Sequence, residues 1–369
     1  MNAFSILLSD NFRGDDLLGL TKKRTLASIP IGSRYRLIDF ILSSLVKANI
    51  SNIGLVVNNN YNSLVDHVGW GKDWDLNRKN AGLKIITPMS DTGLKAVNAN
   101  KFDALANALF YLDYVLQDYV ILADANIVAN INFEEMLEYH KRTGADITVA
   151  YTYKEPSARD TQIVFNDRGK IYDSYYHING HNEVVATQLK VHILSKQLLK
   201  EVINRGLTLG WEDMMRDYIS KNYNKLNVQA YRVHGYCKVI NNIQDYYNFN
   251  MDLLHDDVRE ELFLSGTEIL TRVKDSVPSF YSETAEVSNS VLADGCTIKG
   301  KVENSIISRG VVIEEGVVVR NSIIMNGCVI GKNSDINHTI IDRRASVSEG
   351  TRVSGTHKEP YIVHKEVSL

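Results

Sequence analysis

The last quarter of the chain repeats. Asn289-Ser290-Val291, Asn304-Ser305-Ile306, Asn321-Ser322-Ile323 and His338-Thr339-Ile340 begin 15, 17 and 17 residues apart. Gly295, Gly310 and Gly327 recur at the same phase, and Ile298, Ile313, Ile330 and Val347 stand three places after those glycines or, in the last case, after Arg344. Self-similarity at a nearly fixed period means stacked coils. A coil of ~18 residues with three six-residue edges is the left-handed parallel β-helix, whose inward positions must be small or β-branched so that coils stack. Residues 281–369 are therefore expected to form a β-helix of hexapeptide-type repeats, after a linker at 256–280. Cys296 and Cys328 follow repeat glycines and read as coil residues without chemistry.

Residues 1–255 obey a different rule. Apolar runs at Phe4–Leu8, Asn52–Val57, Lys84–Ile86, Tyr119–Ala123 and Ile147–Tyr153 alternate with helical spacing such as Leu37, Phe40, Ile41, Leu45 and Ala48. Leu105, Leu109 and Leu112 share that spacing, and Asn132 with Glu135 reads as a capping box for a helix stopped by Gly144. The alternation predicts an α/β domain with a mostly parallel sheet. Further on, Gln162–Phe165 and Lys170–Ser174 read as a hairpin, Gln197–Asn204 and Trp211–Lys221 as helices, Val228–Val233 as a strand and Asp245–His255 as a helix.

Forty-one basic against 44 acidic residues give a net charge of −3 without a long like-charge run, which argues against nucleic acid as a partner. Three cysteines without a C-x-x-C pair indicate neither a disulfide framework nor a zinc site. The stretch MNAFSILLSDNF has no basic leader and no run is long enough to span a bilayer, so the expected compartment is the cytoplasm.

In an α/β domain the loop after the first strand commonly holds phosphate on glycine amides and a helix N-terminus. Here Ser9–Leu18 contains one glycine, Gly14, with Asp10, Asp15 and Asp16 around it. Each carboxylate about 4 Å from a phosphate charge costs ~1 kcal/mol in water and ~4 at an intermediate dielectric. This is a phosphate loop that no longer suits phosphate.

The following stretch, LTKKRTLASIPIGSRYRLIDF, resembles the N-terminal signature of the ADP-glucose pyrophosphorylases, in which a G-x-G-T-R-L loop precedes L-T-x-x-R-A-K-P and Y-R-L-I-D. NSIISRGVVIEEGVVVRNSIIMNGCVIG and VPSFY are similar to that family's C-terminal pattern. The resemblance implies a Rossmann-like nucleotidyltransferase domain joined to a left-handed β-helix, making ADP-glucose from ATP and glucose 1-phosphate with magnesium. It also shows what is missing. Leu26 stands at the family's K-P lysine, Ala125 at the metal Asp of L-A-G-D-H, and Val239 at the second metal Asp of R-D-V-G-T. Tyr172-Asp173-Ser174-Tyr175-Tyr176 offers no E-K-P, and Asn100-Lys101-Phe102-Asp103-Ala104 keeps only the end of G-T-A-D-A.

The expected function is therefore that of the family's non-catalytic regulatory subunits in bacterial glycogen biosynthesis. Such a subunit would carry no catalytic or metal residue of its own and would form a hetero-oligomer, two copies of each chain, with a catalytic homologue that binds Mg2+. The alternative is an active nucleotidyltransferase using Asp103 and Asp124. A third is a β-helix acyltransferase based on His338, the one histidine inside the repeat. His67, His140, His177, His181, His192, His234 and His255 show no ligand spacing, Trp70 and Trp74 suit packing, and Glu212 and Asp213 suit a helix start. What the signature keeps is basic: Lys22, Lys23, Arg24, Arg34 and Arg36. The resemblance implies an effector site for a phosphorylated small molecule at Lys23, Arg24 and Arg36, closed by Arg343 and Arg344 from the last repeat; arginine's fork binds phosphate bidentately.

Overall fold

The computed structural model describes residues 1–10, 17–79, 81–88, 100–156, 160–176, 183–264 and 268–369. Gly14, Asp15, Asp16, His177 and His181 lie outside the described residues. The chain divides into two compact units. One gathers residues 1–10, Thr25–Ala27 and Phe40–Val239; the other gathers 17–24, Ser28–Asp39 and Ile240–Leu369.

The first unit is built on strands that are apolar on both faces. β1 (Ala3–Leu8) is buried at every residue and pairs in parallel with β2 (Asn52–Val56) and with β4 (Tyr119–Asp124), while β2 pairs in parallel with β3 (Gly82–Ile86). Continuous apolar runs are what a parallel sheet covered on both faces requires. β9 (Val185–Ser195) runs antiparallel to β4 and to β6 (Ile147–Lys154), and β10 (Val228–Arg232) adds in parallel to β6. The expected hairpin is β7 (Thr161–Phe165) with β8 (Ile171–Tyr176) at the sheet edge.

The helices start and stop where the caps say. In α4 (Phe133–Arg142) the Asn132 side chain caps the helix by accepting from the Glu135 amide at 3.2 Å, and its own amide donates to the Glu135 carboxylate at 3.3 Å. α5 (Lys196–Leu209) begins at Ser195, which accepts from the Leu198 amide, and ends at Gly210 in the left-handed region. Gly206 lets α5 lie against α2 (Lys101–Ala106): a Cβ there would come within 2.2 Å of the Phe102 ring.

Two helical expectations are met in part. Leu105, Leu109 and Leu112 belong to two short helices, α2 and α3 (Leu109–Tyr114). Trp211–Lys221 is helical from Met214, as a π-helix at Met215–Ile219 that runs into a 3-10 turn at Ser220–Asn222, and the Asp217 carboxylate takes the preceding Glu212 and Asp213 amides at 2.9 and 3.0 Å. Local side-chain bonds of this kind compete with a helix ladder.

The second unit contains the repeat. Its coils form three five-stranded parallel sheets, and the whole is a left-handed β-helix. Ile298, Ile313, Ile330 and Val347 stack in register, as do Val302, Val319, Ile336 and Val353 on the next face. The Asn-Ser/Thr-Ile motif has a mechanical reason. The Ser290, Ser305 and Ser322 hydroxyls each accept the amide one coil on, at 3.1 Å, from Ser305, Ser322 and Thr339. Each also donates to the carbonyl two residues back, so these polar groups are satisfied inside the stack. The preceding Asn289, Asn304, Asn321 and His338 adopt positive φ at the corner, where asparagine is favoured. Cys296 and Cys328 are buried free thiols in that core.

Candidate functional site

In an open α/β sheet, ligands gather at the carboxyl ends of the parallel strands. At that end β1 finishes at Leu8 and β4 at Asp124, the two residues being in register. Asp124 is 3 % exposed and takes the Lys101 ammonium on both oxygens, at 2.8 and 2.6 Å, with the Lys190 ammonium at 3.9 Å. Asn100 caps α2 by accepting from the Phe102 and Asp103 amides, which sets Lys101 at the first helical position. Lys190 has a φ of 56° at an irregularity in β9, between Gln188 and His192 in the pairing with β6. Bulges of this kind re-aim side chains beside a site.

The places that the sequence resemblance gives to metal aspartates are apolar and closed. Ala125 is 1 % exposed, its amide donating to the Leu8 carbonyl at 2.9 Å. Val239 is 5 % exposed in β11 (Cys237–Val239), opposite Ile127 of β5 (Ile127–Ala129). Asp103 sits in the first turn of α2. Among the described residues no three His, Cys, Asp or Glu side chains are arranged to hold a metal ion. Magnesium requires oxygen ligands in near-octahedral order. The carboxylate at this strand end instead carries an ammonium, so these residues do not fit a divalent cation.

The first residues after β1 are turned inward as well. Asp10 accepts from the Leu26 amide at 3.0 Å and from the Ser9 hydroxyl at 3.2 Å, and burial pushes its pKa up to about 6. Leu26 itself is buried. At the place of the missing E-K-P, β8 offers exposed Tyr172 and Tyr175, and Ser174 bonds Tyr223.

The strand ends enclose a cavity of about 400 Å³, mouth included. Its lining includes Lys101, Asp124, Gln188, Lys190, His192 and Asp213 over an apolar floor. The sequence reading passed over Gln188 and Lys190 and set His192 aside with the other scattered histidines. A signal was present: a glutamine, a lysine and a histidine fall at alternate positions of the buried run VATQLKVHILS.

The remaining described histidines of the first unit have packing roles or lie at the surface. His140 bonds Thr148 at 2.8 Å, and burial pushes its pKa down to about 4. His67 packs edge-on against the buried Trp74, whereas Trp70 is exposed. His234 and, in the second unit, His255 are exposed.

In the second unit the basic residues separate into three settings. Arg24 is buried, its guanidinium forking onto both Asp342 oxygens at 2.7 and 2.8 Å. Lys23 is exposed and lies 3.6 Å from Glu366. Arg36 donates to the Ser28 carbonyl at 3.2 Å, and its amide donates to Asp39. Burial, then the charges of Arg24 and Arg344, lower the pKa of Arg343, whose buried Nε has no hydrogen-bond partner. Lys274 is lowered by burial and then by Arg343, Arg36, Arg272 and Arg309. Arg36 and Arg343 thus crowd a common neighbour, Lys274, together with Arg272 and with Arg309, which is itself paired with Asp294 at 3.3 Å; the sequence reading passed over Lys274, Arg272 and Arg309, and the first two lie in the stretch read as a linker. Arg344 occupies the left-handed corner that glycine fills in earlier coils. His338 does not stand alone between coils: the Tyr247 hydroxyl donates to the Asn321 carbonyl at 2.6 Å, so His338 Nδ1, at 2.9 Å, donates to that hydroxyl.

Comparison with known proteins places this geometry. Residues 13–172 match the nucleotidyl transferase family and residues 277–361 match the GlmU-like C-terminal hexapeptide family. The glycogen biosynthesis protein GlgD of Bacillus subtilis is 32 % identical over 95 % of this chain and 92 % of its own length; that of Geobacillus stearothermophilus is 36 % identical over 94 % and 91 %. The glucose-1-phosphate adenylyltransferase of Acetivibrio thermocellus is 31 % identical over 94 % of this chain and 82 % of its own length. The chain belongs to the glucose-1-phosphate adenylyltransferase family and is similar to its GlgD members. On the fold of this nucleotidyltransferase family, Ala125 and Val239 are buried apolar residues and Asp124 is ion-paired. Among the described residues no helix is long and apolar enough to cross a membrane.

Proposed function

We propose that this chain is a regulatory, catalytically impaired subunit of glucose-1-phosphate adenylyltransferase in glycogen biosynthesis. It acts in a cytoplasmic hetero-oligomer, two copies of each chain, with a catalytic homologue that binds Mg2+ and makes ADP-glucose. The observation that carries this reading is the strand end: one carboxylate, Asp124, held by Lys101 at 2.6 Å, beside apolar Ala125. Nucleotidyl transfer needs the phosphate charge neutralised and positioned, and loss of one preorganised electrostatic group typically costs ~10²- to 10³-fold in rate. An arrangement without any metal carboxylate set supplies little of this.

The regulatory half of the proposal is an anion-effector site. Arg36 and Arg343, within the crowd of Lys274, Arg272 and Arg309, form its centre, with Lys23 and Arg344 near the rim and Arg24 positioning Asp342. Burial, and then the repulsion of neighbouring cations, lowers the pKa of Lys274 and Arg343; the repulsive part supports an anionic occupant, since a phosphorylated molecule would relieve it.

The test is an assay of ADP-glucose formation from ATP and glucose 1-phosphate by this chain, its catalytic homologue and the mixture. Silence from this chain with altered activity or effector response in the mixture is expected. Magnesium-dependent turnover by this chain alone that vanishes on Asp124→Ala would establish the active-enzyme alternative instead.

A further inference from the structure

Two histidines meet in the second unit beside a buried tyrosine. His338 stands at a corner of the repeat, and His357 lies in the loop between the strands Arg352–Ser354 and Tyr361–Val363. Their ring centres are 6.3 Å apart at an interplanar angle of 83°. The ring of Tyr247, which is fully buried, lies 6.2 Å from that of His338 and 5.6 Å from that of His357.

The hydrogen bonds choose the tautomer of His338. The Tyr247 hydroxyl has one proton and gives it to the Asn321 carbonyl at 2.6 Å, so the proton in the 2.9 Å contact with His338 comes from Nδ1. The neutral ring then carries its lone pair on Nε2. An imidazole whose N–H is held by an oxygen, with the other nitrogen left as a donor of electrons, is oriented as metal-binding histidines are. His357 is exposed, so an ion can reach it from solvent and its side chain can turn. Its backbone is tied, because Gln244 Nε2 donates to the His357 carbonyl at 2.9 Å. Gln244 lies three residues before Tyr247 on the helix Ile243–Asp252, hence on the same face, and its buried Oε1 has no hydrogen-bond partner.

We propose that His338 Nε2 and a ring nitrogen of His357 bind one divalent transition-metal ion of the zinc class, with water in the remaining positions. A zinc–nitrogen bond of about 2.1 Å puts two rings that share an ion roughly 5–6 Å apart, and a small turn of His357 closes the difference from the observed spacing. Imidazole suits zinc, copper and nickel, whereas magnesium takes oxygen ligands. Water on the ion is a donor for Gln244 Oε1. Bound there, the ion clips the loop at 355–360 to the corner at His338. It is not the magnesium of nucleotidyl transfer, and its binding is read on this chain alone; it stands or falls apart from the regulatory role, which is read only in the mixture.

The experiment titrates the full chain, without any affinity tag, with zinc chloride in a calorimeter and with magnesium chloride as the control. Saturable zinc binding is expected, undisturbed by an equal concentration of magnesium. His338→Asn and His357→Ala each weaken it by about tenfold or more, because each removes a ligand. Tyr247→Phe weakens it by about tenfold, since losing the group that orients a ligand typically costs roughly 10- to 100-fold in metal affinity. Circular dichroism checks that the variants fold. If one does not, the imidazole ¹⁵N signals of the unsubstituted chain give the answer: zinc must shift His338 Nε2 and one nitrogen of His357 while His338 Nδ1 stays protonated. Absence of saturable zinc binding, affinity unchanged in both folded histidine variants, or unmoved signals from the two rings would each overturn the proposal.

Discussion

Each unit buries a carboxylate against a basic side chain, and the surroundings of the two pairs differ. In the second unit Arg24 and Asp342, both about 3 % exposed, meet fork to fork, and Asp342 also takes the Arg343 amide at 2.7 Å. Those bonds occupy the carboxylate, and the pair ties residues 17–24 to the last coils of the β-helix. In the first unit the Lys101 ammonium is a point charge on Asp124, a second ammonium stands 3.9 Å away, and the pair faces a cavity. The first arrangement is a clasp. The second is a site whose charges are matched within the protein, and it is on that matching that the proposed loss of catalysis rests.

Breaking the clasp has the largest expected effect. Asp342→Ala leaves a buried guanidinium unpaired, and such a loss costs ~3–5 kcal/mol. Thermal unfolding of the variant should show it as a large drop in Tm, with Arg24→Met in the same background restoring much of the loss. If Asp342→Ala unfolds like the parent, the pair is not a clasp. Lys101→Met should cost less, about 2 kcal/mol, because Lys190 remains near Asp124. Adding Asp124→Asn should recover stability, and failure to do so would mean that Lys101 contributes through packing alone.

The same contrast explains what was legible from sequence. The β-helix was readable to the residue, because stacking repeats each environment and Ile298, Ile313, Ile330 and Val347 had to fall in one row. The parallel strands and the cap of α4 were readable for similar local reasons. The cavity was not: Lys101, Gln188, Lys190 and His192 meet through a cap on α2 and an irregularity in β9, and neither has a period. Arg24 looked like a cation free to bind an effector because its partner, Asp342, lies 318 residues away.

Acid should separate the units next. His140 and His192, both in the first unit, have pKa values pushed down to about 4 by burial. The unfolded chain binds protons near pH 6.5 and the folded one only near 4, so stability falls as pH drops through that window. About 2 kcal/mol per histidine is at stake once partial solvation is discounted. Asp10 acts the other way: its raised pKa makes its ionised form unfavourable, so its contribution improves as pH falls from 6 towards 4. The expected net result is that the first unit loses hydrogen-exchange protection before the second between pH 6 and 4. His140→Gln should flatten that dependence; an unchanged slope would exclude His140 as its source.

The smallest effect sharpens the contrast within the β-helix itself. His338 stands where Asn289, Asn304 and Asn321 stand in earlier coils, at a φ of 45°. Asparagine tolerates that conformation better than histidine. His338→Asn therefore relieves the corner, but it removes the bond from His338 Nδ1 to the Tyr247 hydroxyl, worth ~1 kcal/mol. The two effects oppose, and the variant is expected to melt within about 1 kcal/mol of the parent. Tyr247 keeps its bond to the Asn321 carbonyl, so α6 (Ile243–Asp252) retains one of its ties to the coil. A much larger loss would show that the histidine is the essential link between that helix and the repeat, rather than a tolerated member of the corner series.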